Sequence, residues 1–261
     1  MKETHYSSQQ QSSPPQTDLS KRKWIGGAAA LVALSPGLRL VELAAAKPND
    51  QPASSAVRWG MLVDTERCTD SCTACVDACQ LENGWGKGST DESRSRATQK
   101  AHWIRKVKLR DRETGKTHIL PLFCQHCENP PCVDVCPTGA SFKRADGIVL
   151  VDKHICIGCR YCMMACPYKA RSFIHEALHD QRVLVPRGKG TVESCTFCVQ
   201  RVDRGEQPAC VEACAKLGNK ALTFGDLSDP ESAIAKQRTE VTSRAIRADL
   251  ALNPRVRYQG I

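Results

Sequence analysis

Four cysteines lie in the stretch CIGCRYCMMACP, residues 156–167. Two-residue gaps separate Cys156, Cys159 and Cys162, and Cys166 follows after three residues and precedes a proline. Three thiolates at such gaps can surround one cubane cluster, whereas the fourth starts the next helix and reaches a neighbouring cluster. The spacing therefore predicts 4Fe-4S ligation, with a tight turn between the first two ligands that exposes backbone N–H groups to the sulfurs.

Three further groups repeat this arrangement with altered gaps. The second group adds two residues between its middle ligands and also ends in Cys-Pro, the first adds one residue after its first ligand, and the fourth has eleven residues between its middle ligands. We predict that all sixteen cysteines bind four 4Fe-4S clusters, with no position that suggests a three-iron cluster. In chain order, the ligands are Cys68, Cys72, Cys75, Cys79; Cys124, Cys127, Cys132, Cys136; Cys156, Cys159, Cys162, Cys166; and Cys195, Cys198, Cys210, Cys214.

Disulfides and zinc are the alternative uses for these cysteines. An even number of cysteines suits a disulfide framework in an exported protein, but stabilising disulfides close loops of useful length, and these cysteines crowd into short runs. Zinc suits the fourth group, which consists of two close pairs across a loop. The third group argues against zinc, because three ligands at two-residue gaps followed by Cys-Pro are typical of a cluster.

The charge of the chain fits the same interpretation. The formal net charge of +9 at pH 7 would suit a nucleic acid or an anionic membrane surface as partner. That count treats every cysteine as neutral, whereas each cluster with its four thiolates would contribute about −2. We therefore interpret many basic residues as neutralising the cofactors, and a zinc-containing module that binds nucleic acid is the less favoured alternative.

No catalytic machinery of the chain's own is visible, since a Gly-rich phosphate loop, a nucleophile with a base partner and a helical His–Glu metal pair are all missing from the sequence. His126 and His154 flank ligand cysteines, but with four thiols per site they are expected to be neighbours of the ligands or surface groups. Tyr161, Met163 and Met164 lie between ligands and are predicted to form an apolar sleeve that excludes water.

Residues 1–46 are predicted to be a signal peptide. A long polar start leads through Lys21-Arg22 into a mildly apolar stretch, and Ala44-Ala45-Ala46 offers a small-residue cleavage site. The pattern resembles a twin-arginine signal, with Lys-Arg in place of Arg-Arg, and that route exports proteins already folded with their cofactors. A short amphipathic or anchoring helix is the alternative, and no apolar run is long enough to span a bilayer.

The remaining pattern predicts an α+β protein with short elements. A linker is expected over residues 47–56, and residues 171–191 form a connector with one helical piece at most. Ser228 is expected to cap a helix that starts with Ser228-Asp229-Pro230-Glu231. Strands are expected over Val57–Asp64, His102–Arg110, Thr117–Phe123 and Ile148–Val151, with the second and third forming a hairpin.

The motifs around the cysteines are similar to those of a known family. The stretches QHCENPPC (125–132), CPTGA (136–140) and FGDL (224–227) stand almost intact. They resemble the iron-sulfur electron-transfer subunits that accompany membrane oxidoreductases, such as dimethyl sulfoxide reductase and hydrogenases, and the resemblance runs from about Arg58 to Tyr258. It implies one-electron transfer through four clusters, between a redox partner and a membrane subunit.

The resemblance also implies two bacterial-ferredoxin-like modules with crossed ligand pairing. Residues 116–185 would form a contiguous module inserted into a second one, which is split into residues 57–115 and 186–261. Each cysteine group would lend its last thiolate to a neighbouring cluster. The four implied ligand sets are Cys124, Cys127, Cys132 and Cys166; Cys156, Cys159, Cys162 and Cys136; Cys68, Cys72, Cys75 and Cys214; and Cys195, Cys198, Cys210 and Cys79.

Within this family, the chain most resembles the periplasmic ferredoxin-like subunit (DsrO) of the membrane complex linked to dissimilatory sulfite reductase. RWGM (58–61), residues 72–79 with Glu82-Asn83, and the ending Asn253-Pro254-Arg255-Val256 carry this likeness. It implies a periplasmic protein held at the membrane by a quinone-interacting integral membrane subunit and a cytochrome or other redox subunit. Neither a nucleic-acid partner nor a membrane span is expected. The alternative is the corresponding subunit of a molybdenum oxidoreductase or hydrogenase. Such a subunit is often exported by means of a partner subunit's signal peptide.

Overall fold

The computed structural model describes residues 52–84, 101–178, 181–217 and 219–261, so the predicted signal peptide lies outside the described residues. The described residues form a mixed α+β fold of short elements. The strands are β1 (Trp59–Asp64), β2 (Arg105–Arg110), β3 (Thr117–Leu122), β4 (Ser141–Lys143), β5 (Val149–Val151), β6 (Ser172–Phe173), β7 (Val192–Glu193), β8 (Leu222–Asp226), β9 (Ser243–Arg244) and β10 (Val256–Gln259). The helices are α1 (Ala74–Glu82), α2 (Pro131–Asp134), α3 (Tyr161–Ala165), α4 (Val199–Val202), α5 (Ala209–Lys216), α6 (Ala233–Glu240) and the 3-10 turn Ala248–Leu250.

A four-stranded sheet joins the two ends of the described chain in the order β8-β1-β10-β9. Met61 of β1 lies opposite Val256 in the parallel partner β10 and opposite Phe224 in the antiparallel partner β8. The side chains of Met61, Leu62 and Val63 are all buried, because β1 lies between two strands and is covered on both faces. This sheet fixes the start of the first cysteine group, which follows β1 directly.

Helices α1 and α5 pack against each other beside this sheet. Helix α1 carries Cys75 and Cys79, and α5 carries Cys210 and Cys214. The helix pair therefore brings the first and fourth cysteine groups together although they lie far apart in sequence. Phe197, which precedes α4, packs edge-to-face on Phe224 of β8 with ring centroids 5.2 Å apart.

The second and third cysteine groups lie around a smaller set of elements. Helices α2 and α3 pack together, and the β4–β5 hairpin covers α2. Each of these helices is only four or five residues long. Each contains the third cysteine of its group and ends before the fourth. Gly158 in the loop before α3 has a φ of +70°, and a Cβ there would lie 2.2 Å from the carbonyl oxygen of Gly190. The tight turn between the first two ligands of this group therefore requires glycine.

The predicted hairpin is confirmed by β2 and β3, which pair from Arg105–Leu122 to Arg110–Thr117. In its turn, the Oδ1 atom of Asp111 accepts a hydrogen bond from the Glu113 N–H at 2.8 Å. The strands predicted before the first and third cysteine groups are confirmed as β1 and β5. The connector 171–191 contains the short strand β6 and, in its described part, no helix.

The predicted helix cap at Ser228 is wrong by four residues. The cap is Ser232, whose Oγ atom accepts a hydrogen bond from the Ala235 N–H at 3.2 Å at the start of α6. Ser228 and Asp229 instead form turns, in which the Ser228 N–H donates to Asp226 and the Asp229 carboxylate accepts from the Glu231 N–H. These local hydrogen bonds compete with helix formation until Ser232. Among the described residues, no helix has both the length and the apolar character needed to cross a membrane.

Candidate iron-sulfur sites

Cysteines from different groups meet around shared cavities. One small cavity is lined by Cys68, Cys72 and Cys75 from the first group and by Cys214 from the fourth, which we name the Cys68 quartet. Burial raises the pKa of the Cys68 thiol to about 12, and the neighbouring thiols of Cys75 and Cys214 add to the shift. The structure therefore brings together four thiols that the family resemblance paired across most of the chain.

A second cavity is lined by one cysteine of the first group and three of the fourth. These are Cys79, Cys195, Cys198 and Cys210, named the Cys79 quartet. All four thiols are buried. Burial raises the pKa of Cys195 well above its usual value, and the nearby thiols of Cys79 and Cys210 raise it further. A thiol so far from water is stable as a thiolate only beside positive charge or a metal.

A third cavity is lined by one cysteine of the second group and three of the third. These are Cys136, Cys156, Cys159 and Cys162, named the Cys136 quartet. This quartet lies near the surface, since Cys159 is exposed and Cys136 and Cys156 are half-buried. The pKa of Cys136 is lowered, because hydrogen bonds from the Ser141 N–H and Thr138 outweigh the effect of burial.

The remaining four cysteines are coupled through the electrostatics of their thiols. They are Cys124, Cys127, Cys132 and Cys166, named the Cys124 quartet, and all four are buried. Burial raises the pKa of Cys124 and of Cys127 to about 12, and in both cases Cys132 and Cys166 are the thiols that raise it further. The last cysteine of the third group thus lies beside the second group, as the crossed pairing requires.

The donor chemistry of these sites suits iron-sulfur clusters. All sixteen cysteines are free, so no disulfide competes for the thiols. Among the described residues, no three His, Cys, Asp or Glu side chains are close enough to hold a single metal ion. Twelve of the sixteen thiols line three shared cavities, four thiols to each. Four thiols around one cavity match the four cysteine thiolates that a 4Fe-4S cluster needs.

Hydrogen bonds reach the sulfurs from the protein at several sites. The Ser141 N–H donates to the Cys136 Sγ atom at 3.3 Å, and the Ala221 N–H donates to Cys214 Sγ at 3.2 Å. The amide Nδ2 atom of Asn83 lies 3.5 Å from Cys79 Sγ and also donates to the carbonyl oxygen of Cys79 at 2.8 Å. Such donors stabilise negative charge on sulfur and raise the reduction potential of a cluster bound there.

Arg171 is the charged side chain that best supports a missing anionic group. It is 5% exposed, and its three guanidinium nitrogens find no oxygen or nitrogen acceptor in the described part of the chain. Its electrostatic partners are the thiols of Cys132, Cys124 and Cys162, which raise its pKa despite burial. A buried guanidinium that faces thiols, with no carboxylate partner, is costly unless those thiols carry negative charge. Two clusters, each with a charge of about −2, would supply the missing counter-charge, since these thiols belong to two quartets.

Sequence reasoning missed Arg171, Lys106 and the contact of Asn83 with sulfur. Lys106 in β2 holds the loop of the first cysteine group, because its Nζ atom donates to the carbonyl oxygens of Thr69 and Cys72 at 2.6 and 2.8 Å. Asn83 lies four residues after Cys79, one helical turn away, so its spacing was a usable signal. Arg171 and Lys106 gave no such signal, because only the tertiary fold brings them to their partners.

The two histidines next to the cysteine groups, His126 and His154, differ in burial. His126 is buried, accepts a hydrogen bond from the Val149 N–H at Nδ1 (3.0 Å) and stacks on Phe197 with ring centroids 3.7 Å apart. Burial, and then Arg255 and Arg171, lower the pKa of His126 to about 3, so it is a neutral packing residue. His154 is exposed.

The predicted apolar sleeve around the third group is only partly present. Met163 packs against the buried cluster that contains Cys162. Tyr161 and Met164 are 54% and 65% exposed, so the prediction is wrong for both. The cause is the shortness of α3, which has one buried face and turns the remaining side chains to solvent.

Two parts of the chain match known 4Fe-4S dicluster domains. Residues 67–140 match one such domain and residues 116–227 match another. The fold and the cysteine quartets therefore define a 4Fe-4S protein of the dicluster class.

Curated relatives define the family more closely. The chain is 42% identical to the Hdr-like menaquinol oxidoreductase iron-sulfur subunit 1 of Archaeoglobus fulgidus in an alignment 270 positions long, which covers 92% of this chain and 97% of the relative. It is 37% identical to the B subunit of tetrathionate reductase from Salmonella typhimurium over 251 residues (94% and 89%) and 37% identical to the NrfC protein of Escherichia coli over 239 residues (91% and 93%). The chain belongs to the family of iron-sulfur electron-transfer subunits of membrane-associated redox complexes.

Proposed function

We propose that the chain binds four 4Fe-4S clusters, one in each cysteine quartet, and passes single electrons through them. The observation that carries this proposal is the convergence of the sixteen free cysteines into four sets of four, each drawn from two different groups. A 4Fe-4S cluster, when bound, takes up and releases one electron at a potential set by its surroundings. The protein supplies the thiolates, excludes water and places positive charge nearby.

The quartets divide these tasks between buried and exposed positions. The Cys79 quartet has no exposed thiol, so it suits an interior site, whereas the exposed Cys159 puts the edge of the Cys136 quartet at the surface. Apolar side chains such as Trp103, Phe123 and Phe197 line the interior site and exclude water. Electrons would therefore be exchanged with a partner near the surface site and kept from solvent at the interior one.

We further propose a place for the chain at the periplasmic side of a membrane complex of dissimilatory sulfur metabolism. The signal-like pattern of residues 1–46 and the resemblance to the sulfite-reductase-linked subunit support this proposal. The names of two relatives, which belong to a menaquinol oxidoreductase and a tetrathionate reductase, are consistent with a quinone-linked partner and with sulfur chemistry. The partners would be a quinone-interacting integral membrane subunit and a cytochrome or other redox subunit.

A second candidate is a subunit that serves a separate catalytic reductase. It is favoured by the relatives named as subunits of tetrathionate, dimethyl sulfoxide and arsenate reductases. Purification of the tagged chain from its native membranes separates the two candidates. A quinone-interacting membrane protein together with a multihaem cytochrome supports the first, and a molybdenum-containing catalytic subunit supports the second.

The iron and sulfide content of the purified chain tests the proposal that it binds four 4Fe-4S clusters. Anaerobically purified chain should contain about 16 iron and about 16 sulfide, absorb broadly near 400 nm and lose this absorption on reduction with dithionite. Stoichiometric zinc without that absorption would overturn it. Fractionation of cells with a tagged full-length chain tests the location, since recovery from the cytoplasm alone contradicts the periplasmic part.

A further inference from the structure

A cavity of about 490 Å³ beside β10 and α6 is separate from every cysteine quartet. Four arginines line it, namely Arg58, Arg238, Arg255 and Arg257, and no cysteine or acidic side chain of the described residues does so. The arginines come from four places in the chain: the segment before β1, helix α6, the residue before β10, and the second residue of that strand. Arg58 and Arg238 are exposed, Arg257 is half-buried and Arg255 is buried, so the four guanidinium groups give this cavity a positive potential.

Protein carboxylates neutralise only part of this positive charge. Arg58 and Arg255 share one carboxylate, Glu128, whose Oε2 atom accepts from their Nη2 atoms at 3.1 and 2.5 Å. The same Glu128 also pairs with Lys143 at 2.9 Å. One carboxylate thus serves three cations, so positive charge remains in excess on this side of the cavity.

The other two arginines have still less compensation. Arg257 donates from Nε to Ser243 Oγ at 3.0 Å and from Nη2 to the Ser243 carbonyl, which are neutral acceptors. Arg238 is exposed, and the charged neighbours that act on it within the described residues are arginines, with no acid among them. Partial burial, followed by the positive charges of Arg257 and Arg58, lowers the pKa of Arg238. The two arginines therefore face like charge without a carboxylate of their own.

The sheet and a glycine hold this arrangement in place. Arg255 and Arg257 are two residues apart around the buried Val256, so the pleat turns both to the same face. Arg255 is 7% exposed, and its Nε atom has no acceptor in the described part of the chain. Its guanidinium packs directly on Gly147, where a Cβ would lie 1.9 Å from Arg255 Cζ. Its Nη1 and Nη2 atoms donate to the Asp146 carbonyl and to Glu128, so Arg255 is a fixed positive charge in the wall of the cavity.

We propose that this cavity binds a multiply charged phosphate group, either a soluble phosphorylated molecule or the headgroup of an anionic phospholipid. A single carboxylate is satisfied by one bidentate arginine, whereas a phosphate presents three oxygens that guanidinium groups can approach from several sides. The cavity volume of about 490 Å³ leaves room for more than inorganic phosphate. The rest of the lining, including Asn253 and Ser228, is uncharged. The site lies apart from the cysteines, so it does not depend on the proposed electron transfer.

Calorimetry with pyrophosphate on the cluster-loaded chain tests the site at low salt. The wild-type chain should bind one equivalent, and R238Q should bind about tenfold more weakly, since one charge-assisted contact is lost. Arg238 forms no ion pair in the described chain, so this change should leave the melting temperature unaltered. R112Q is the matched control, because it removes one exposed arginine from the β2–β3 turn and should bind like wild type.

Vesicles distinguish the two sources of phosphate. Binding to phosphatidylglycerol vesicles but not to phosphatidylcholine vesicles, lost in R238Q and R58Q and retained in R112Q, identifies a lipid headgroup. Pyrophosphate binding without vesicle binding identifies a soluble ligand. The proposal is overturned if neither probe binds, or if R238Q and R58Q both bind within twofold of R112Q.

Discussion

The Cys79 and Cys136 quartets each contain four cysteine thiols, but their surroundings differ. The Cys79 quartet is fully buried, and aromatic side chains such as Phe123 and Phe197 line its cavity. The Cys136 quartet has one exposed thiol, and its cavity has no aromatic lining but polar residues such as Thr138 and Ser141 beside aliphatic ones such as Val151. The difference shows that the cysteine pattern specifies the ligand set, whereas the surrounding fold decides how far each site lies from water.

The largest effect is expected from removing a ligand of the buried quartet. Cys210→Ala should abolish one cluster and leave the other three thiols around an empty apolar cavity, which lowers the free energy of unfolding by about 3 kcal/mol or more. The melting temperature should fall by about 6–12 °C. Cys159→Ala in the Cys136 quartet should lower it by less than half as much. Calorimetry with iron analysis measures both, and equal losses would show that burial does not distinguish the sites.

The next largest effect tests the crossed pairing. Cys214 and Cys210 lie one turn apart on α5 but belong to different quartets. Cys214→Ala should remove about a quarter of the iron and eliminate the EPR signal of the Cys68 quartet, with the Cys79 quartet kept. Cys72→Ala is the matched variant and should give the same spectrum. A spectrum in which only the Cys79 quartet has changed would disprove the pairing.

Arg171→Met should lower the reduction potentials of two clusters on the order of 100 mV, because a full positive charge close to both would be lost. The affected clusters are those of the Cys136 and Cys124 quartets, whose thiols face Arg171. Arg171→Lys keeps the charge and should shift them by less than half as much. EPR-monitored redox titration measures all four clusters. Unchanged potentials, or equal shifts in all four, would exclude this role for Arg171.

The smallest effect concerns one hydrogen bond at the buried quartet. Asn83→Ala removes the amide donor to Cys79 Sγ and should lower the potential of that cluster by about 20–60 mV, the equivalent of one net hydrogen bond. Asn129→Ala is the control, since its amide donates to the Ala251 carbonyl on the exposed side. The same titration should find the Asn129→Ala potentials within error of wild type. A larger shift in the control would show that the effect is not local.

The sequence predicted the candidate ligands more completely than the residues that surround them. Cysteine spacing is a local property, so ligand types and the strand before the third group could be predicted directly. The parallel pairing of β1 with β10 could not, because the apolar run in β1 predicts burial but not its neighbours. Lys106 and Arg171 were missed for the same reason, since each acts on cysteines from another segment. Ser232 was missed because Ser228, which comes four residues earlier and precedes Asp-Pro, also resembles a helix cap.

The crossed quartets also set an order in which the protein can be completed on the ribosome. Every thiol of the Cys124 and Cys136 quartets has been synthesised once Cys166 emerges, so these two sites can be filled on a nascent chain. The Cys68 and Cys79 quartets must wait for α5, and the sheet that supports them cannot close until β10 has been made. The order of synthesis therefore allows the two middle sites to be completed first, and a polypeptide that stops short of β10 leaves β1 with an unpaired edge.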